Sequence, residues 1–148
     1  MVEKPRRTEY HSTRSLIDKL GVKPYHRIVV LGIDDENFWM QITARADDVV
    51  KGRLRKESDL IFFAADSITE LRQLARLRTY LTSNGAIWVV SAKGRMAQIK
   101  DVDVIAAAKA AGLVDNKVVS FSETHTSLRL VIPLAKRVPT KKTEANAE

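Results

Sequence analysis

A short apolar run that ends at a glycine constrains the fold of this chain more than any other feature. Residues 27–31 read Arg-Ile-Val-Val-Leu, and Gly32 follows them. A β-branched, almost wholly apolar run of this length is typical of a strand that is buried on both faces in a parallel sheet. We therefore predict a central strand over 27–33. The carboxyl end of such a strand is where α/β proteins usually bind ligands.

The rest of the chain alternates between helical and strand patterns. The predicted helices span 15–20, 35–45, 66 or 67 to about 82, and 102–111. The predicted strands span 48–54, 59–65 and 86–91, with a turn at Asn84-Gly85 and a hairpin over 117–134. The predicted caps are Ser12 or Thr13, Asp34 or Asp35, and Asp66 or Ser67.

This order of elements predicts an α/β fold. We expect a three-layer, Rossmann-like, mostly parallel sheet of about six strands, with helices on both faces and an antiparallel hairpin at the C-terminus. A chain of 148 residues suits one domain. We place that domain at 12–135, between a basic N-terminal tail at 1–11 and a C-terminal tail at 136–148, both expected to be disordered.

The amino-acid composition excludes several classes of site and protein. The chain has no cysteine, which excludes disulfides, cysteine-based zinc sites and a cysteine nucleophile. It has no apolar run long enough to span a membrane, and no apolar segment follows the basic N-terminus as a secretory signal requires. We therefore expect a cytoplasmic protein with no membrane association. The sequence leaves open whether the protein forms a homo-oligomer.

The positive charge raises the question of nucleic acid. The net charge is +7 and the isoelectric point is near 9.8. Residues 1–14 and 136–148 hold eight basic and four acidic residues, which is more than half of the net charge. Basic ends bind DNA or RNA weakly and without sequence preference, but they are more often simply solvated.

Three local sequences resemble parts of the class I S-adenosylmethionine methyltransferase fold, and the order of elements over 15–134 is similar to that fold as well. Leu20-Gly21-Val22-Lys23-Pro24 resembles the lead-in to strand one of that fold. Asn84-Gly85-Ala86-Ile87-Trp88-Val89 resembles its fourth or fifth strand, and Ala110-Ala111-Gly112-Leu113 resembles its step into the hairpin. The resemblance implies a truncated form of the fold.

A more specific resemblance is to a family of small bacterial proteins of unknown function. The shared segments are Leu20-Gly21-Val22-Lys23-Pro24, Leu31-Gly32, Gly85-Ala86-Ile87-Trp88-Val89 with Lys93, Gly112-Leu113-Val114-Asp115 and Glu123-Thr124. The chain departs from that family at Tyr25, where a turn glycine is usual. This resemblance implies a reduced, methyltransferase-like Rossmann fold and no established activity.

The turn after strand one argues against the methyltransferase cofactor. Enzymes of the fold that this chain resembles need a glycine-rich turn there, and an acid at the end of strand two for the ribose hydroxyls. Here Gly32 is followed by Ile-Asp-Asp-Glu, which disfavours phosphates and dinucleotides. Only about 25 residues separate strand one from Asp59, less than a full cofactor-binding half requires. We expect no cofactor, except S-adenosylmethionine under the methyltransferase alternative.

The topology gathers one group of polar side chains. The carboxyl ends of parallel strands share one edge of the sheet, and loops there carry function more often than the core does. The candidate ligand-binding residues at that edge are Asp34, Asp35, Asp66, Lys93, Glu123, Thr124 and His125. We assign no metal ligand, because the three histidines lack metal-ligand spacing. We assign no catalytic residue, because Ser91 lacks the Gly-x-Ser-x-Gly motif of a hydrolase, and Asp34 and Asp35, which could hold Mg²⁺ or act as acid and base, are more typical of a helix N-terminus.

Three functions follow from these observations, and the sequence does not choose between them. The first is a non-catalytic module that binds a small ligand or a protein. The second is an S-adenosylmethionine-dependent, methyltransferase-like enzyme. The third is a nucleic-acid-associated protein that acts through its basic tails.

Overall fold

A computed structural model describes residues 14–137, which form one six-stranded sheet with helices on both faces. The strands are β1 Arg27–Leu31, β2 Asp48–Lys51, β3 Ser58–Ala64, β4 Leu81–Ala92, β5 Val114–Ser120 and β6 His125–Val131. The helices are α1 Leu16–Lys19, α2 Glu36–Arg45, α3 Ile68–Leu71, α4 Leu74–Arg78 and α5 Asp101–Ala110. Short 3-10 turns lie at Gly94–Met96 and Leu134–Lys136. The predicted tails lie outside the described residues, apart from Lys136 and Arg137.

The strand order is β2-β1-β3-β4-β6-β5. β1 pairs in parallel with β2 and β3, and β3 pairs in parallel with β4. β6 is antiparallel to both of its neighbours, β4 and β5. The prediction of a mostly parallel sheet of about six strands with a C-terminal antiparallel hairpin is confirmed.

The sheet separates two apolar layers. On one face Ile28, Phe62 and Trp88 pack beneath α1 and α2. On the other face Ile61 and Val89 pack beneath α3, α4 and α5. β1 is continuously apolar because it lies between β2 and β3 and each of its faces is covered by helices.

Local chemistry sets the ends of the first elements. α1 is capped by Ser15, whose Oγ accepts the Asp18 N–H at 3.1 Å, rather than by Ser12 or Thr13, which lie outside the described residues. β1 ends at Leu31, two residues before the predicted end, because Gly32 takes a positive φ of 74°. β2 stops at Lys51 because Gly52 does the same, with a φ of 83°.

The predicted long helix from 66 or 67 to about 82 is wrong in its length. Two short helices, α3 and α4, occupy this region, and the chain is already extended at Leu81. The break at Arg72 and Gln73 turns Leu71, Leu74 and Leu77 toward the sheet, where each is fully buried. Ile68, at the start of α3, is by contrast 51% exposed.

The predicted turn at Asn84-Gly85 is also wrong, because both residues lie inside the twelve-residue strand β4. The pairing of β3 with β4 shifts register between Ser58 and Leu60, beside Gly85. A Cβ at Gly85 would lie 2.9 Å from the Ser58 carbonyl oxygen and 3.0 Å from that of Asp59. The glycine is therefore required by the close approach of β3 and not by a turn.

Candidate functional site

The carboxyl edge of the sheet holds a pocket of about 360 Å³ between the β1–α2 loop and the tip of the β5–β6 hairpin. We call it the edge pocket. It is lined by Gly32, Ile33, Asp34, Asp35, Ala64, Val90, Phe121, Ser122, Thr124 and His125. Four of the seven predicted site residues, Asp34, Asp35, Thr124 and His125, are thus brought together on its walls.

The inner end of the edge pocket is made of small groups. The positive φ of Gly32 lets the backbone turn away from β1, and a Cβ there would lie 3.3 Å from the Ala64 Cβ. A larger residue at either position would fill the space where β1 and β3 end. Gly32 therefore sets the depth of the pocket through its lack of a side chain.

Asp34 and Asp35 differ in their hydrogen bonding. Asp35 is the N-cap of α2, and its Oδ1 accepts the Phe38 N–H at 2.9 Å. Asp34 is exposed on the pocket wall and forms no hydrogen bond or ion pair with any residue of 14–137. Asp34 is therefore the carboxylate that is available to a ligand.

The opposite wall is an ordered turn of the hairpin. Ser122 Oγ accepts the Thr124 N–H at 3.3 Å and the His125 N–H at 3.1 Å. Thr124 Oγ1 lies 2.8 Å from His125 Nδ1, and the Thr124 carbonyl accepts the Lys93 N–H at 3.0 Å. Beneath them the Phe121 ring packs 4.9 Å from the Phe38 ring, centroid to centroid. The hydroxyl groups and the imidazole are thus held on a rigid apolar base.

Three predicted site residues lie at the same edge but do not line the pocket. Asp66 Oδ1 accepts the Ala92 N–H at 2.9 Å, which ties the end of β4 to the segment after β3. Lys93 Nζ donates to Ser120 Oγ at 2.8 Å. Glu123 is exposed at the tip of the hairpin. Asp66 and Lys93 therefore connect strand ends to each other.

A second pocket, of about 530 Å³, lies on the other side of Gly32 and Ala64, and the sequence analysis did not find it. It is lined by Leu31, Gly32, Gly52, Arg53, Leu54, Phe63, Ala64, Glu70, Gln73, Arg76, Leu77 and Tyr80. Ile33, Phe121 and Ser122 of the edge pocket were not predicted from the sequence either. Their positions immediately after β1 and β5 are the only signal for them.

The end of β2 carries no acid. Lys51 ends the strand, its Nζ lies 5.0 Å from the centroid of the Trp39 ring, and Gly52 follows. A cation therefore stands where the methyltransferase resemblance calls for a carboxylate.

Within 14–137 no group of three or more acidic residues and histidines could hold a metal ion. No helix in that range is long and apolar enough to cross a membrane.

Comparison with known proteins identifies the family. The model of a family described as a protein of unknown function, DUF3052, matches residues 18–134. This chain belongs to the DUF3052 family. The match confirms the expected membership of a family of unknown function and covers both walls of the edge pocket. No curated protein matches the sequence of this DUF3052 chain.

Solved structures similar to this DUF3052 chain include methyltransferases. The N-methyltransferase NodS from Bradyrhizobium japonicum matches with a TM-score of 0.60 at 15% identity, over 90% of this chain and 99% of that one. A putative methyltransferase from Thermoplasma acidophilum matches with a TM-score of 0.57 at 9% identity, over 78% and 71%.

CalO1, a methyltransferase of calicheamicin biosynthesis solved in its S-adenosylhomocysteine-bound form, matches with a TM-score of 0.62 at 12% identity. That match covers 84% of this chain and 54% of CalO1. Identities this low show the fold alone. They confirm that the six-stranded sheet is of the class I methyltransferase type.

Proposed function

We propose that this DUF3052 protein binds a small ligand in the edge pocket. The observation that carries the proposal is the pairing of an unengaged carboxylate, Asp34, with a pocket of about 360 Å³ that has an apolar floor and polar groups on its rim. Small-molecule sites are typically of this size and combine an apolar lining with a few polar groups.

The lining indicates the chemistry of the ligand. Asp34 favours a cationic or hydroxyl-bearing group and repels a phosphate or carboxylate. Ile33, Phe121 and Val90 offer an apolar surface to the body of the ligand. Thr124 and His125 add hydrogen-bonding groups on the hairpin side. We therefore propose a neutral or cationic organic molecule rather than a nucleotide.

The second candidate is S-adenosylmethionine or its homocysteine product. Two observations favour it: the fold, and the position of the edge pocket at the carboxyl end of β1. The sulfonium and amino groups of S-adenosylmethionine are cationic, which suits Asp34. Lys51 at the end of β2 counts against it, because a lysine cannot accept hydrogen bonds from ribose hydroxyls as a carboxylate does.

Thermal unfolding with added ligands tests both candidates. The full chain is heated with S-adenosylmethionine, S-adenosylhomocysteine, adenosine and a panel of primary and quaternary amines, each at about 1 mM. A ligand present at about 100 times its Kd stabilises the folded state by about 2.7 kcal/mol, which raises the melting temperature by several degrees.

The matched variants are Asp34→Asn and Glu123→Gln. Each removes one exposed carboxylate at the carboxyl edge, but only Asp34 lines the pocket. We expect the shift caused by a cationic ligand to shrink in Asp34→Asn and to persist in Glu123→Gln. Equal shifts in both variants would contradict the proposal, as would no shift with any compound. A shift confined to the two S-adenosyl compounds would favour the second candidate.

A further inference from the structure

A group of cations lies on the face of the sheet that α1 covers, away from the edge pocket. It consists of Arg14, Lys117, Arg129 and Arg137, and we call it the cationic face. Lys117 and Arg129 are direct cross-strand partners in the antiparallel pair of β5 and β6. Like charges placed directly opposite each other destabilise a sheet.

Hydrogen bonds and electrostatics link these residues into one group, since Arg14 and Lys117 donate to neighbouring carbonyls of α1, those of Asp18 and Lys19. Burial lowers the pKa of Lys117, and the positive charges of Arg14 and Arg129 lower it further. Burial likewise lowers the pKa of Arg129, and the charge of Arg137 adds to that effect. Each cation is therefore close enough to its neighbour to repel it.

The hydrogen bonds of the cationic face position these groups without neutralising them. Lys117 Nζ donates to the Lys19 carbonyl at 2.8 Å, and Arg129 Nη1 to Asn116 Oδ1 at 3.3 Å. Arg137 Nε donates to the Ile132 carbonyl at 2.7 Å. All three acceptors are neutral, so the positive charges stay uncompensated.

Two acids in this part of the fold have other partners. Asp18 pairs with Arg45 at 2.9 Å, and Asp59 Oδ2 accepts the Arg27 N–H at 2.8 Å. Within 14–137 the ion pairs are Arg27–Asp48, Arg45–Asp18 and Arg55–Asp48, and none involves the cationic face. The described part of the chain alone holds 20 basic and 14 acidic residues, so the positive charge does not reside only in the tails.

An exposed aromatic ring borders the cationic face. The Tyr25 side chain is 79% exposed, and its ring centroid lies 5.0 Å from that of His26. His26 is itself close to Arg129: burial lowers its pKa, Asp59 opposes that shift, and the charges of Lys23 and Arg129 add to it. Cations beside an open aromatic ring are the combination by which proteins bind single-stranded nucleic acid, through phosphates and a stacked base.

We propose that the cationic face binds single-stranded nucleic acid, with phosphates on Lys117 and Arg129 and a base stacked on Tyr25. Arg14 and Arg137 bound the described residues at this face, and basic residues continue beyond both: Lys4, Arg6, Arg7, Lys141 and Lys142. The folded surface, and not the tails, is the primary site, which separates this proposal from binding through basic tails alone.

The test measures binding of a labelled 20-nucleotide poly-U RNA to the full chain by fluorescence anisotropy at 50 and 150 mM salt. The variant Lys117→Gln/Arg129→Gln is compared with Arg72→Gln/Lys109→Gln, which removes the same charge from exposed positions on α5 and beside α3. We expect Kd to rise about tenfold in the first variant, and the slope of log Kd against log salt to fall by about 1.4, or about 0.7 per lost contact. The second variant should bind like the native protein.

Tyr25→Ala, compared with Tyr25→Phe, tests the stacked base. We expect Tyr25→Ala to weaken binding about tenfold and Tyr25→Phe to retain it, because a phenylalanine ring still stacks. Circular dichroism checks that every variant is folded. Deletion of 1–13 and 138–148 should weaken binding and leave the effect of Lys117→Gln/Arg129→Gln in place.

Three outcomes would overturn the proposal. Loss of all binding on removal of the tails would assign it to them. Equal weakening by the two double variants would mean that only net charge matters. Binding to vesicles with about 30% anionic lipid, without binding to RNA, would identify a membrane surface instead.

Discussion

Gly85→Ala should destabilise the protein because β3 leaves no room for one methyl group. The added Cβ would meet the Ser58 carbonyl oxygen at 2.9 Å, the Asp59 carbonyl oxygen at 3.0 Å and Leu81 Cδ2 at 3.1 Å. The two oxygens belong to the backbone of a paired strand, so neither can rotate away as a flexible side chain would. Relief requires β3 and β4 to move apart at the register shift between Ser58 and Leu60.

The size of the effect follows from two opposing terms. Overpacking that shifts backbone costs about 1–3 kcal/mol. Replacing glycine by alanine within a strand recovers about 0.5–1 kcal/mol of chain entropy. Since the contacts are with backbone, we take the upper part of the first range and expect a net loss of about 2 kcal/mol. For a chain of this length that lowers the melting temperature by roughly 6–8 °C.

Urea unfolding followed by tryptophan fluorescence measures this loss, because Trp88 is fully buried in the same strand. Gly52→Ala is the control: its φ is +83° and a Cβ there has nothing within 4 Å, so the cost of a left-handed backbone, about 1–2 kcal/mol, is offset by the same gain in chain entropy and the net loss should be about 1 kcal/mol or less. Asparagine tolerates that backbone, so it should recover part of the loss at position 52 and none at 85. A Gly85→Ala protein within about 0.5 kcal/mol of native would refute the steric reasoning.

Three further changes have defined outcomes. Asp35→Ala should cost about 1 kcal/mol in urea unfolding, because Asp35 caps α2 at the Phe38 N–H, and Asp35→Asn should lose much less. The pKa of His26 is lowered in the folded state, mainly by burial, so the unfolded state takes up the proton more readily below about pH 6.5. The urea midpoint should therefore fall between pH 7.5 and 5.5, and His26→Asn should flatten that dependence; an unchanged slope would contradict it. Trp88→Phe removes the Nε1–H bond to the Leu20 carbonyl and should lose about 1–2 kcal/mol in urea unfolding followed by circular dichroism, whereas an unchanged midpoint would mean that this bond does not stabilise the fold.

The parallel core was predictable because its strands carry their own signal. β1 and β3 are apolar on both faces, and Gly32 punctuates the first of them, so both were located to within two residues. β4 was harder, since its first residues are polar and half-buried and Gly85 in a strand looks the same in sequence as Gly85 in a turn. Only the approach of the Ser58 and Asp59 carbonyls distinguishes the two, and that approach depends on residues far away in the sequence.

The candidate site was predictable at the level of topology and not of side-chain direction. Strand order alone brings the β1–α2 loop and the hairpin tip to one edge, which is why Asp34 and His125 could be predicted to lie close together. Which way Asp66 and Lys93 point depends on the donors and acceptors nearest to them. The Ala92 N–H and Ser120 Oγ engage those side chains in the sheet edge, and no local sequence pattern encodes that.

The β5–β6 hairpin serves both proposed sites, one at each end. His125 lies on the edge pocket and Arg129 on the cationic face, four residues apart and therefore about 13 Å apart along an extended strand. Groups that distant and without shared partners usually act additively. The combined variant Asp34→Asn/Lys117→Gln should therefore show the ligand effect of the first change and the RNA effect of the second, each unchanged in size. If the two effects depend on each other, the two sites are coupled, either by one elongated ligand that spans the hairpin or by a change in the hairpin itself.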